Sequence, residues 1–426
     1  MVFDLFHPDC VKRRIGSALF LLCLCAVDPA VAGTIRIASW NLLNWPSAGT
    51  SGATVDSATR CPYFRSVVQT IRPSIIVTEE NQSTLSTPWF LSQVMNASGN
   101  YYRQGVYIQG RDSNNGIFYL DSLFTFVSNR PIETALRDIS EFTMVYKPTG
   151  DTFRIYAVHL KASTGSANEA QRSAEVDSLR RVTDALPVGS EFIICGDFNI
   201  YGDYEAAYQK LIRDDPWNDG NFLDPFQMTG IWNNAAYRFY HTQSTRTTQF
   251  GGGSFGGLDD RFDMILFSNG VTQAGGMYYL PGTCQAFGND GNHYQLAINS
   301  GSNASVSQTV ADALHFASDH LPVMADFEFN GNSTVDELPV LGDLRIFPNP
   351  TDGHVTVSFI AERAGELSWK LIGQAGEEIG QAGWLWFGQG SNSHELIFKS
   401  VLPAGRYNIS FDFDNKLISK VLYITN

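Results

Sequence analysis

The chain has 426 residues, 43% of them apolar, 17% charged and 13% aromatic. Those values exclude a wholly disordered chain and leave room for two or three domains with sizeable cores. The 29 Lys+Arg stand against 43 Asp+Glu, a formal charge of −14, so no general attraction to phosphate backbones or anionic membranes is expected and any phosphate chemistry needs a local cation.

Residues 1–32 read as an export signal. Lys12, Arg13 and Arg14 precede an apolar run from Ile15 to Val27, and Ala30-Val31-Ala32 supplies a small-residue cleavage signature. The run is too short to span a bilayer. No later stretch is a spanning candidate, so the expected destination is the periplasm, the cell surface or the medium, without stable membrane insertion. From 33 to 329 short β-rich runs alternate with helical patterns. Strands are expected over 35–42, 74–79, 142–146, 153–160, 192–196, 262–267 and 323–329. Tyr63, Phe64, Val67, Val68 and Ile71 repeat at helical spacing, and Thr87-Pro88 is the expected cap of a second helix with Phe90, Leu91, Val94 and Met95 inward. A third helix is expected over 168–186, burying Ala170, Ala174, Leu179, Val182 and Leu186, and 147–151 reads as a hairpin turn. Such alternation predicts a mixed α/β domain.

The stretch 280–317, rich in Gly, Asn, Ser and His, reads as a long surface loop near the site, with His293 and His315 as loop residues rather than ligands. Composition shifts over 330–342 to that of a linker, and 343–426 alternates without a helix signal, predicting a small all-β sandwich. Of the cysteines past the signal, Cys195 sits in a core strand, whereas Cys61 and Cys284 could pair in an oxidising compartment.

Several strands end in polar residues that a strand end does not require: Asn41, Glu79-Glu80, His159, Asp197-Phe198-Asn199 and Ser318-Asp319-His320 before the last strand. Strand ends are where loops gather into a site. Residues two apart share a face, which would pair Asp197 with Asn199 and His159 with Lys161, while Glu79 and Glu80 diverge. Carboxylates and amide oxygens suit a hard divalent cation, and a His held by a carboxylate serves as a base or stabilises charge on phosphate. The set therefore fits phosphoester hydrolysis.

Ile37-Ala38-Ser39-Trp40-Asn41, Pro73 to Glu80, Val158-His159-Leu160, Gly196-Asp197-Phe198-Asn199, Arg261-Phe262-Asp263 and Ser318-Asp319-His320-Leu321-Pro322-Val323 follow one another in order. Over residues 34–329 the chain thereby resembles the endonuclease/exonuclease/phosphatase superfamily. The resemblance implies a DNase I-like four-layer sandwich of two β-sheets flanked by helices, and a divalent-metal-dependent phosphoric ester hydrolase. It implies Asn41, Glu80 and Asp319 at the metal, Mg²⁺ with Mn²⁺ or Ca²⁺ as alternatives. Asp197 would orient or deprotonate the attacking water, Asn199 would donate to the phosphate, and His320, held by Asp263, would contact it. His159 matches a histidine of the phosphodiesterase branches. The usual Gln before the metal Glu is Glu79 here, which adds negative charge, and Asp112 is the candidate acidic partner of His159. Arg111 and Asn115 are candidates to reach phosphate.

Leu344-Arg345-Ile346-Phe347-Pro348-Asn349-Pro350-Thr351-Asp352-Gly353 resembles the start of the C-terminal sorting domain of type IX secretion cargo, implying the type IX machinery as a partner. An accessory carbohydrate-binding sandwich is the alternative, on Trp384, Trp386 and Phe387. Gly252-Gly253-Ser254-Phe255-Gly256 satisfies the G-x-S-x-G elbow, but no apolar strand precedes it and no helix signal follows, so a flexible loop is expected. The reading is a secreted monomeric phosphodiesterase, an endonuclease acting on DNA or RNA. A phospholipid or sphingomyelin phosphodiesterase and an inactive surface binding protein are the alternatives.

Overall fold

In the computed structural model the described residues are 34–46, 56–226, 228–249, 252–273, 275–330, 341–361, 363–373, 378–398, 402–413 and 416–425. The export signal expected over 1–32 and most of the linker expected over 330–342 lie outside them. The first part of the chain runs through β1 (Ile35–Trp45), α1 (Ser57–Ile71), β2 (Ile75–Asn81) and α2 (Ser86–Phe90), which continues as a π turn over Leu91–Met95. Next come β3 (Tyr102–Gln104), β4 (Asn114–Leu120), β5 (Phe124–Ile132), β6 (Ile139–Tyr146), β7 (Thr152–His159) and α3 (Ser166–Thr183). Then follow β8 (Phe192–Asp197), α4 (Ala206–Ile212), β9 (Asp263–Phe267), β10 (Gly276–Tyr279), β11 (Gln285–Ala286), α5 (Gln308–Ala317) and β12 (Val323–Asn330).

Strand alternation sorts these residues into layers. One sheet has the order β10-β12-β1-β2-β4-β3, with β11 also on β12, and the other β5-β6-β7-β8-β9. Ile35, Ile37, Ile75 and Val77 of the first face Ile155, Ala157, Ile193, Cys195, Ile265 and Phe267 of the second in a single buried core. The intervening Ala38, Trp40, Leu42 and Ile76 point the other way and bury Phe64, Val67 and Leu314 of α1 and α5. Tyr156, Val158, Ile194 and Met264 do the same for Val176, Leu179 and Leu211 of α3 and α4. Helix, sheet, sheet, helix is the four-layer α/β sandwich expected.

Residues beyond 341 form β13 (Leu341–Phe347), β14 (His354–Ala361), β15 (Gly365–Ile372), β16 (Glu378–Phe387), β17 (Gly390–Ile397), β18 (Gly405–Phe413) and β19 (Lys416–Ile424). They pair as β13-β14-β17 and β16-β15-β18-β19 around Val357, Phe359, Leu367, Leu371, Ile409 and Phe411. This sandwich touches the larger one where the Arg406 guanidinium donates to Gln285 Oε1 at 2.8 Å and to the Gly282 carbonyl at 2.7 Å. The Tyr423 ring packs 4.6 Å from Phe239 there.

Four expectations are corrected. The 280–317 stretch is not a surface loop: Phe287, Ile298, Val310 and Leu314 are buried in the outer core, and their wide spacing among polar residues hid them. Thr87 does not cap α2; the cap position is Leu85, and Thr87 lies buried inside the helix. On α3 Ala170 and Ala174 are exposed, whereas Arg172, Glu175 and Arg180 are buried, because Arg172 pairs with Glu205 at 2.8 Å and Arg180 caps the Lys210 and Arg213 carbonyls. Cys61 and Cys284 are free thiols, and they are buried in different cores.

Candidate active site

The inward rows of five neighbouring strands change chemistry at one end. After Ile37 and Ser39 the next inward position of β1 is Asn41, and after Ile75 and Val77 that of β2 is Glu79. After Ile155 and Ala157 that of β7 is His159, and after Ile193 and Cys195 that of β8 is Asp197; β9 begins with Asp263 ahead of Ile265. Pairing sets Asn41 opposite Glu79, His159 opposite Asp197, and Asp197 opposite Asp263. The polar set therefore lies at one end of the core between the sheets.

His320, just before β12, completes it. Its Nδ1 lies 2.7 Å from Asp263 Oδ2 and its Nε2 3.8 Å from Asp197 Oδ2, while the Gln243 amide abuts Nε2. The Asn41 amide NH₂ donates to Glu80 Oε1 and to Asp197 Oδ2, each at 3.1 Å, and its oxygen accepts the Leu43 N–H at 2.9 Å. His159 Nε2 is 3.5 Å from Asp197 Oδ2 and 4.0 Å from Glu80 Oε1. Asp319 Oδ2 accepts the Ser254 N–H at 2.6 Å.

Two of these residues have a backbone that side chains disfavour. Glu80 sits at φ 60° and Asn199 at φ 52°, in the left-handed region, a cost carried at sites where the geometry is used. At Glu80 the turn brings a residue that would have faced the outer layer round to the site; its Oε2 accepts the Asn44 N–H at 2.6 Å. At Asn199 it ends the strand alternation, so Asn199 donates to the Leu160 carbonyl at 3.3 Å and its own N–H goes to Asp197 Oδ1 at 3.1 Å. Lys161 likewise leaves the strand, its ammonium bonding the Ala162 carbonyl.

Burial and mutual repulsion set the charges. Burial pushes Asp197 up to about 7 despite the pull of His320. Burial, then Asp319, raises Glu80. Burial would lower His320, but Asp263 and Asp197 outweigh it and hold the imidazolium well above its ordinary value. Burial, then Arg137, drives His159 well below its ordinary value, so that ring is neutral. Glu79 is fully buried, accepts Ser39 Oγ–H at 2.8 Å, and is raised well above the carboxylate range by burial. Burial therefore works against the negative charge expected from the Glu at this position.

Other expectations for the site also change. Asp112 is no partner of His159; it is exposed and pairs with Arg137 at 3.0 Å. Arg137, which sequence reasoning passed over, spans from Asp112 to the carbonyls of His159 and Leu160. Arg111 is exposed, and the Asn115 NH₂ is taken by the Ala157 carbonyl at 2.9 Å. Gln243, Asn44 and Ser254 were also missed, since they act through loops or backbone N–H groups. Arg60 carried a signal: it falls on the same helical stripe as Phe64, Val67 and Ile71, and it holds the Leu42, Leu43 and Ala317 carbonyls.

The donors fit a hard divalent ion. Among the described residues no three His, Cys, Asp or Glu side chains close into a ready-made cage. Glu80 and Asp319 offer two carboxylates, Asp319 adding to the burial that raises Glu80, and Mg²⁺ needs only one or two, keeping water for the rest. Asn41, in this arrangement, bridges Glu80 and Asp197 rather than turning its oxygen outward.

No family model matches the sequence, and no curated protein does. Among solved structures the chain is similar to D. rerio TDP2 complexed with a single-strand DNA product (TM-score 0.46, 13% identity, covering 69% of this chain and 99% of that one). It is also similar to the human Nocturnin catalytic domain with bound sulfate (TM-score 0.41, 17% identity, 70% and 95%). A third is an endonuclease/exonuclease/phosphatase family protein from Bacteroides thetaiotaomicron (TM-score 0.43, 15% identity, 72% and 99%).

Proposed function

We propose that the chain is a divalent-metal-dependent phosphodiester hydrolase of the endonuclease/exonuclease/phosphatase type, and that it cleaves nucleic acid, DNA or RNA. The observation that carries the reading is the Asp263–His320 pair, 2.7 Å apart, set against Asp197, with Glu80, at one end of the core.

Asp197, with its affinity for protons brought near neutrality, is placed to take the proton of a water attacking phosphorus. The His320 imidazolium, oriented by Asp263, donates a hydrogen bond to a phosphate oxygen as charge builds there. Neutral His159 lies on the other side of Asp197, and Asn199 offers an amide donor from its left-handed turn. Glu80 and Asp319 would hold a divalent ion, which when bound would supply further charge stabilisation to the phosphate. Arg137 fixes the end of β7, and with it His159.

Export to the cell surface or the medium through the type IX machinery is part of the proposal. Its support is the signal pattern of residues 1–32 and the sorting-domain resemblance of the C-terminal sandwich.

The test is nicking of supercoiled plasmid by the full chain with Mg²⁺, with chelator, and by His320→Ala. Nicking that requires both the metal and His320 is expected; undiminished nicking by His320→Ala overturns the assigned chemistry.

A further inference from the structure

The glycine-rich loop 252–257 carries a hydrolase pattern that the site does not use, and it is not slack. Gly252, Gly253, Gly256 and Gly257 all have positive φ, between 75° and 127°. The N–H groups of Gly256 and Gly257 both donate to the Arg246 carbonyl, at 3.0 and 2.9 Å, and the Gly257 carbonyl accepts the Ser244 N–H at 2.9 Å. Ser244 Oγ donates to the Ser254 carbonyl at 2.8 Å, and the Ser254 N–H reaches Asp319 Oδ2 at 2.6 Å.

The fit is close. A Cβ on Gly253 would lie 2.7 Å from Asp319 Oδ2 and 2.9 Å from Leu43 Cδ1, and one on Gly257 would lie 2.3 Å from the Gln295 backbone. The loop is thus wedged between the Asp319 carboxylate and the Gln295–Leu296 backbone, where left-handed glycines alone pass. Between its two clamped ends Phe255 leaves 60% of its surface exposed. A large aromatic is held one residue away from a group that grips a site carboxylate, with no core to enter.

We infer that Phe255 is a substrate-binding residue, the platform on which a nucleobase beside the scissile phosphate stacks. The inference rests on the phosphodiesterase reading above and names what that site grips besides phosphate. The chain's charge of −14 denies a nucleic acid the usual gain from a basic surface. The Ser254 N–H ties the loop to Asp319, so Phe255 stands at the rim of the phosphate-gripping site, where the part of the substrate that flanks the phosphate meets it. Every base presents a π face, and stacking on an aromatic side chain gives sequence-tolerant binding that does not draw on net charge.

The test compares kcat/KM of the full chain with Mg²⁺ on an oligothymidylate and on an oligomer of equal length built from base-free tetrahydrofuran residues. Wild type is expected to prefer the base-bearing oligomer. Phe255→Ala is expected to lower that preference about 5- to 150-fold, the range of stacking on one base, and Phe255→Trp to retain it. The preference is a ratio within one variant, so a partly misfolded preparation does not mimic the result. Equal loss on both oligomers, an unchanged preference, or no preference in wild type overturns the inference while leaving the phosphodiesterase reading in place. Cleavage of neither oligomer by wild type overturns the inference, and the phosphodiesterase reading falls with it only if supercoiled plasmid and an RNA oligomer are also left intact.

Discussion

Two buried Asp–His pairs in this molecule look alike and are finished differently. In the 280–317 segment, His293 Nδ1 lies 2.8 Å from Asp290 Oδ1 and its Nε2 3.0 Å from the Ser300 carbonyl. Asp290 also accepts the N–H groups of Asn292 and Ala304, each at 2.9 Å, so every polar atom of that pair has a partner. At the end of the central core Asp263 and His320 are just as close, yet Asp263 Oδ1, His159 Nδ1 and Glu79 Oε2 are buried without a protein partner. Native interiors rarely leave such groups unmatched. One pair closes a loop; the other holds capacity in reserve for something that arrives. A short Asp–His distance alone is therefore no mark of a site; what sets the second pair apart is that it stands against Asp197, with His159 and Glu80 beside it, at the end of the core.

The largest effect expected from breaking this contrast is on turnover. Asp263→Asn keeps the shape but removes the charge that holds the His320 imidazolium, so turnover in a plasmid-nicking assay should fall by about 10²–10⁴-fold, the usual worth of a positioned acid–base group. The equivalent change in the other pair, Asp290→Asn, should leave turnover unchanged. A normal rate in Asp263→Asn would mean that the two pairs do the same structural job.

Stability should show the reverse ordering. Asp290 is almost wholly buried and anchors two turns of the 280–317 segment as well as His293. Removing one partner of a buried ion pair costs about 3–5 kcal/mol, and Asp290→Asn should show a loss of that order in chemical denaturation. A loss below the scatter of replicate curves would demote the pair to an incidental contact.

This contrast also bounds what the sequence made legible. The strands with one clean apolar row, such as β1, β7 and β8, were readable because alternation has a physical cause in burial on the inward face. β5 was not, since Thr125, Ser128 and Pro131 are exposed and its Arg130-Pro131 reads as a turn. β4 opens with Asn114-Asn115-Gly116, three small or polar residues that are nevertheless buried. α3 misled in the opposite sense: it buries guanidinium groups that pair with a carboxylate or with carbonyls, a choice that hydropathy cannot anticipate. In the site, Asn41, His159, Asp197 and Asp263 gather because each sits where an inward row runs out of core, whereas Glu80 and Asn199 are turned in by left-handed backbone and Asp319 and His320 arrive on the segment before β12. The contacts that were missed run through loops distant in sequence: Arg137 to the His159 carbonyl, Gln243 to His320, Ser254 to Asp319. Their partners are fixed by chain topology, and no local pattern encodes them.

The smallest expected effect sharpens the contrast through pH. With an oxygen acceptor at each ring nitrogen, His293 satisfies both only as the imidazolium. Its hydrogen bond to Asp290 raises the ring above its ordinary value. Burial works against the Asp290 carboxylate, but His293 and the Ala304 and Asn292 N–H groups bring it down to about 2. A raised histidine stabilises the fold fully below its unfolded value of about 6.5 and loses that contribution as pH rises through the folded one; a lowered aspartate contributes above about 3.9 and loses it as pH falls toward 2. The pair is thus worth most between about pH 4 and 6.5. His293→Gln keeps hydrogen-bonding capacity but cannot titrate. The thermal midpoint of the wild type should therefore exceed that of His293→Gln most near pH 5–6, and the gap should narrow steadily toward pH 9. A gap that stays constant or widens over that range would show that His293 is held as a neutral ring, and the resemblance between the two pairs would then extend no further than their geometry.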